Sequence, residues 1–152
     1  MQADDTDRRI LRRLQTEPDL PMGELAEKVG ITAATCWRRL EKLTTSGVIR
    51  GQHAVINWAA LGYEVEVSLR ITLDKTDSRA FDEFLIEARK VPEVTEIQTF
   101  LGRVDMRLNI LARDMAHYQQ IYRTRILTLP HIADIEALAQ VATIKTDDAL
   151  PL

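Results

Sequence analysis

The residues best suited to chemistry lie in two short stretches. In Thr32-Ala33-Ala34-Thr35-Cys36-Trp37-Arg38-Arg39-Leu40-Glu41-Lys42, three cations and an indole stand close together, with Glu41 as the lone acid among them. Such side chains suit a polyanion that also carries readable edges. An arginine fork such as Arg38 matches guanine O6 and N7, Ala33 and Ala34 accept thymine methyls, and the Thr35 hydroxyl can bond to a base. Arg39 and Lys42 are placed to neutralise phosphates. The second stretch, Gly102-Arg103-Val104-Asp105, sets a cation and a carboxylate around a glycine. That arrangement complements the carboxylate and ammonium of an amino acid. Its plainer reading is a hairpin turn with a solvated arginine.

Catalysis finds no candidate. His53, His117 and His131 are separated, with no H-x-x-x-H or His/Cys spacing, so no metal ligand set is expected. Neither a glycine-rich nucleotide loop nor a G-x-S-x-G elbow occurs, and no cofactor is expected. Cys36 is the single cysteine. It falls on an apolar stripe, where a thiol acts as a small hydrophobe, and it has no partner for an internal disulfide.

What must position these residues is legible from hydrophobic spacing. Ile10, Leu11 and Leu14, then Leu25, Ala26 and Val29, then Cys36, Leu40 and Leu43 recur at helical intervals and predict three amphipathic helices between Asp4 and Ser46. Pro18 and Pro21 separate the first two, with Pro21 at an early helical position where its missing N–H costs nothing. Gly30 ends the second helix. Thr32 is a natural N-cap for the third, and Gly47 ends that one. Two short helices joined by so tight a corner, supported by a preceding helix, form the helix-turn-helix pattern. Val48 to Ile56 is expected to be a short β segment around Gly51, a wing or linker strand. Asn57 then caps one turn, Trp58 to Leu61, closed by Gly62.

Beyond Gly62 the period changes to two. Val65, Val67, Leu69, Ile71 and Leu73 alternate with polar residues, the mark of a strand with one apolar face. A helix is expected over 77–91, a hairpin of strands 94–101 and 104–112 about Gly102, a helix over 115–127 and a strand over 132–144. The order βαββαβ is that of a ferredoxin-like domain. The expected division is 1–57 for a winged helix-turn-helix, 58–63 as linker and 64–152 for the βαββαβ domain, an α+β fold.

Composition bounds the function. With 45% apolar and 28% charged residues, the chain has the make-up of a soluble globular protein. Its amino terminus lacks an apolar leader, and no run approaches the roughly 20 apolar residues of a membrane span, so a cytoplasmic protein is expected. The net charge is −3, divided as +1 over 1–57 and −4 over 58–152. Any footprint on DNA must therefore be local, and one copy of the module is too weakly charged to hold DNA alone.

Taken in order, the motifs resemble the Lrp/AsnC family, also called feast/famine regulators. They are Asp4-x-x-Asp7-x-x-Ile10-Leu11-x-x-Leu14, Glu24-Leu25-Ala26-x-x-Val29-Gly30-Ile31-Thr32, Cys36-x-x-Arg39-Leu40-x-x-Leu43 and Gly47-Val48-Ile49. The second half adds Val91-Pro92-Glu93-Val94, Gly102-x-x-Asp105, Leu129-Pro130-x-Ile132, Lys145 and Leu150-Pro151-Leu152. The resemblance implies a transcription regulator that binds double-stranded DNA and an amino-acid or related effector. It also implies dimers assembling into octamers or similar rings, with the effector beside the Gly102 turn between protomers. Two departures stand out: Ala3 and Thr6 replace larger aliphatics, and Leu101-Gly102-Arg103-Val104-Asp105-Met106 brings a basic residue and loses an aromatic and a tyrosine. The competing reading is a metabolite-binding structural oligomer without DNA-binding activity. Trp37 is left between packing and DNA contact, and Arg8, Arg9, Arg12 and Arg13 read more simply as a solvated face.

Overall fold

Asp4 begins the first helix by a reciprocal cap. Its carboxylate accepts from Asp7 N–H at 2.8 Å and its own N–H donates to the Asp7 carboxylate at 3.2 Å. This satisfies two backbone donors that a helix start leaves unpaired. In the computed structural model, which describes residues 2–146 and 149–152, helix α1 spans Asp5–Thr16, α2 Met22–Val29 and α3 Ala33–Thr45. Gly30 adopts φ 76° and closes α2, with Ile31 N–H reaching back to Ala26 O at 3.0 Å. At the end of α3, Gly47 repeats the device at φ 76°, and Ile49 N–H bonds Leu43 O at 3.0 Å. Left-handed glycines stop both helices where the core requires the chain to turn.

The apolar stripes meet as expected. Ile10, Leu25, Ala26, Val29, Cys36 and Leu43 are buried together, with Leu11, Leu14, Leu20, Met22, Ile31, Leu40 and Ile49 packed around them. Burying each large aliphatic of this set is worth roughly 1.5–3 kcal/mol. One expectation fails: residues 48–56 form no strand. These residues are mostly exposed and, among the described residues, no neighbouring strand offers a ladder, so β-rich composition alone does not produce one.

Strands β1 Val65–Leu73, β2 Val94–Thr99, β3 Met106–Ala112 and β4 Ile132–Ala139 make one antiparallel sheet ordered β2-β3-β1-β4. Val67, Leu69 and Ile71 face Ile110, Leu108 and Met106 across the β1/β3 register. All six are buried beneath Phe84 and Ala88 of helix α4, Ala80–Ala88, and beneath Ile121 of helix α5, Met115–Ile121. A π-type turn, Tyr122–Ile126, continues α5 and adds buried Ile126. The opposite sheet face carries Glu66, Ser68, Arg70 and Thr72 from β1 and Arg107 and Asn109 from β3. This is the expected βαββαβ order.

Several ends are shorter than the apolar pattern predicts. Asp77 does not join α4: its carboxylate accepts Arg79 N–H at 2.8 Å and holds a turn before the helix. β4 stops at Ala139, which pairs with Val67, and Gln140 N–H makes a last bond to Glu66 O at 2.9 Å. By contacts the chain divides into two compact units, residues 1–55 with 144–152, and residues 56–143. In this division residues 144–152, expected with the second domain, group with the helical unit. There Arg12 donates to Leu152 O at 2.6 Å and Gln15 donates to Leu150 O at 3.3 Å. Among the described residues, no helix is long and apolar enough to cross a membrane.

Candidate nucleic-acid interface and effector turn

Helix α3 is built to leave one face open. Thr32 is its N-cap, its hydroxyl accepting from Thr35 N–H at 3.3 Å and donating to the Thr35 hydroxyl at 2.9 Å. That geometry aims the helix start outward, while Cys36 and Leu43, one side of the cylinder, are sealed in the core. Burial pushes the Cys36 thiol up from its ordinary range, consistent with an inert packing role. Ala33, Ala34, Trp37, Arg38, Glu41 and Lys42 are all exposed. Trp37 is 56% exposed, so within its own unit the indole does not pack away. Neither Arg38 nor Lys42 has an ion-pair partner among the described residues. Two free cations, an indole, two methyl-bearing alanines and the positive end of a helix share one surface, a combination that fits a major groove.

Arg39 is put to another use. Its Nη1 lies 2.7 Å from Asp4 Oδ2 and 2.8 Å from Asp7 Oδ1, and the Asp7 side chain is only 6% exposed. The guanidinium therefore clamps α3 to the capping box of α1. Both aspartates raise the arginine's pKa, Asp4 first. The Asp4 carboxyl is held below its usual range, mainly by the Asp7 N–H and then by Arg39. The same Nη1 that sequence pointed at a phosphate is therefore held within the fold. On α1, Arg12 likewise bonds the terminal residue, while Arg9, Arg12, Arg13, Lys28, Thr16 and Val29 border a shallow basic hollow.

The glycine turn divides its predicted residues between two sides of the sheet. Gly102 has φ 150°, a conformation that strains any residue with a Cβ, and Phe100 N–H bonds Asp105 O at 2.9 Å to close the turn. Thr72 donates to Arg103 O at 3.1 Å, tying the turn to β1. Gly102, Arg103 and Val104 line a hollow of about 400 Å³ with Phe100, Leu101, Arg70 and Arg107. Asp105 does not line it. Only 6% exposed, Asp105 accepts Leu73 N–H at 2.9 Å through Oδ2 and pairs with Lys75 at 2.7 Å through Oδ1. Burial opposes its ionisation, but the hydrogen bonds from Lys75 and Leu73 and the charge of Lys75 outweigh burial and lower its pKa. Each oxygen thus has a partner within the chain, where sequence alone pointed to a ligand's ammonium.

Sequence reasoning missed Arg70 and Arg107. Both sit at polar positions of alternating strands, and only the β1/β3 register, which sets them directly opposite each other, brings them to the turn. It also missed a small cluster beyond the same end of β1, where Asp74 N–H bonds His131 O at 2.7 Å. His131 Nε2 lies 2.6 Å from Glu83 Oε2, and Asp77, Glu83 and His131 bring single ligand atoms within 4.8 Å of one another. Arg79 stands 3.6 Å from both carboxylates, so the cluster already carries a counter-charge.

Comparison with known proteins finds the same two modules elsewhere. Residues 4–50 match the family described as winged helix-turn-helix DNA-binding, and residues 66–150 match the Lrp/AsnC ligand binding domain. A proline dehydrogenase transcriptional activator from Rhodobacter capsulatus is 32% identical over 130 residues, covering 86% of this chain and 84% of that one. The transcriptional regulator AzlB of Bacillus subtilis is 28% identical over 149 residues, 98% of this chain and 95% of its own. Among solved structures, a Neisseria meningitidis transcriptional regulator in complex with L-Met superposes with TM-score 0.90 at 27% identity, covering 99% of this chain and 97% of that one. An AsnC family transcriptional regulator from Agrobacterium tumefaciens gives TM-score 0.88 at 32% identity, with 98% and 97% covered.

Proposed function

The chain belongs to the Lrp/AsnC family of DNA-binding transcription regulators, and from that membership we propose how its own residues divide the work. Helix α3 enters the major groove. Arg38 reads a guanine edge, Ala33 and Ala34 meet thymine methyls, Thr32 and Thr35 organise the helix start, Lys42 neutralises a phosphate and Trp37 packs along the backbone of the duplex. The observation that carries this reading is the free, exposed pair Arg38 and Lys42 on a capped helix whose other face is sealed.

Beside it, the turn at Gly102, Arg103 and Val104 receives a small effector, an amino acid or related metabolite. Asp105 acts from beneath, holding the turn on β1. Dimers, and rings built from them, present several α3 helices at once and so overcome the weak charge of one module. The protein works in the cytoplasm, as a regulator rather than an enzyme.

An electrophoretic shift with the DNA upstream of the protein's own gene tests this. The expected result is a complex at submicromolar protein that weakens steeply with salt and resists competitor DNA of unrelated sequence. No complex, or equal competition by any sequence, refutes it.

A further inference from the structure

Across the open face of the sheet runs a row of four residues in register, Gln98, Arg107, Arg70 and Glu136. The two arginines at its centre face each other directly, a like-charge pairing that weakens a sheet. Their acids answer them poorly. Arg70 reaches Glu136 at 3.4 Å, and Arg107 reaches Glu96 only at 4.0 Å, while Glu96 already accepts from Gln98 at 2.8 Å and from Asn109 at 3.0 Å. The Arg107 Nε is buried without a hydrogen-bond partner, a donor left unsatisfied. Arg103 adds a third guanidinium, with no ion pair among the described residues. All three border the hollow at the glycine turn, whose remaining lining is Phe100, Leu101, Gly102 and Val104. Among the described residues no acid lines it; Asp105 points away, toward Lys75 and Leu73.

From this juxtaposition we infer that the hollow binds a small organic acid anion, a dicarboxylate or oxo-acid, rather than a zwitterionic amino acid. The inference rests on the effector reading of the turn and narrows it. An α-amino acid brings one carboxylate and one ammonium. Here the carboxylate finds guanidinium forks, but the ammonium finds three cations and no acceptor carboxylate. A second carboxylate in place of the ammonium removes the repulsion between Arg70 and Arg107 and fills the orphan donor. Phe100, Leu101 and Val104 take the carbon chain between the two charged ends.

Glutarate and L-glutamate share a carbon skeleton and differ by the ammonium, so they are the decisive pair. Calorimetry and thermal unfolding of the full chain with glutarate, 2-oxoglutarate, L-glutamate, L-leucine and L-methionine test the assignment. Glutarate is expected to bind about tenfold or more tightly than glutamate, with leucine and methionine weaker still. R103Q and R107Q should each lose about tenfold or more for glutarate, and R103K should recover part of that loss. Because R107Q relieves the like-charge pair, its ligand-free unfolding temperature should equal or exceed that of the parent. A lost glutarate response in a variant that still unfolds at the parent temperature therefore reports the site and not the fold.

Leucine or methionine binding as tightly as glutarate overturns the anion assignment and leaves the effector turn standing. No binding by any of the five overturns both. Sedimentation supplies the last alternative: if R70Q and R107Q change assembly mass but not glutarate affinity, the arginines answer carboxylates of a second copy and the inference falls.

Discussion

Arg39 offers the sharpest trial of the reasoning, since its type and position on α3 point to a phosphate contact while its geometry makes it a clamp. In R39A the Asp7 carboxylate, 6% exposed, loses its 2.8 Å partner, and Asp4 loses one at 2.7 Å. Breaking a fully buried pair costs about 3–5 kcal/mol, and an exposed pair under about 1 kcal/mol. The pair with Asp7 lies between these limits, because the Arg39 side chain is 28% exposed, so about 2 kcal/mol is expected. For a unit of this size, 1 kcal/mol shifts the unfolding midpoint by roughly 4–8 °C, so R39A should melt roughly 8–16 °C lower. Circular dichroism at 222 nm on the full chain reads this directly. At temperatures where the variant is folded, the slope of log K against log salt for DNA should equal that of the parent. A phosphate contact behaves the opposite way, leaving the midpoint unchanged and lowering the slope by about 0.9. That result would refute the clamp.

Arg38 should show the reverse pattern: R38A keeps its melting temperature and loses about 1–3 kcal/mol for the specific site with little change on random sequence, read by competitive fluorescence anisotropy. Asp105 has a lowered pKa, so its stabilisation is complete above the ordinary aspartate value of about 4 and is lost as pH falls through the lower folded value. D105N should therefore cost about 1–2 kcal/mol at neutral pH and flatten the acid limb of the stability–pH curve measured by urea unfolding. Sensitivity to acid equal to the parent's would assign that limb to other carboxylates. A chain ending at Asn57 should bind DNA at least tenfold more weakly than the full chain in a gel shift, because one module of charge +1 has lost the assembly that pairs it with others and the carboxyl-terminal residues bonded to α1. Equal affinity would remove oligomerisation from the account.

How much was legible in advance follows from the range of each interaction. The three helices, their glycine stops and the cap at Thr32 depend on neighbours within about one helical turn, and periodicity exposed them. The strand period of β1 and the order βαββαβ were equally open to reading. Ends were less so: β4 closes at Ala139, opposite Val67, although the apolar pattern of its sequence continues to Ile144. The expected segment over 48–56 had β-rich composition and no partner at all.

The sequence by itself determined that a capped helix carries Arg38 and Lys42 on the side opposite Cys36 and Leu43, since 3.6-residue spacing settles which side chains share a face. What only the tertiary structure decided was the fate of individual charges. Arg39 is spent because α1 and α3 cross with Asp4 and Asp7 beside it, and Asp105 is spent because the end of β1 offers it Leu73 and Lys75. Arg70 and Arg107, 37 positions apart by their numbers, meet because the antiparallel register sets them opposite. Charge interactions depend on separation in space, and for these groups only the packed fold determines that distance.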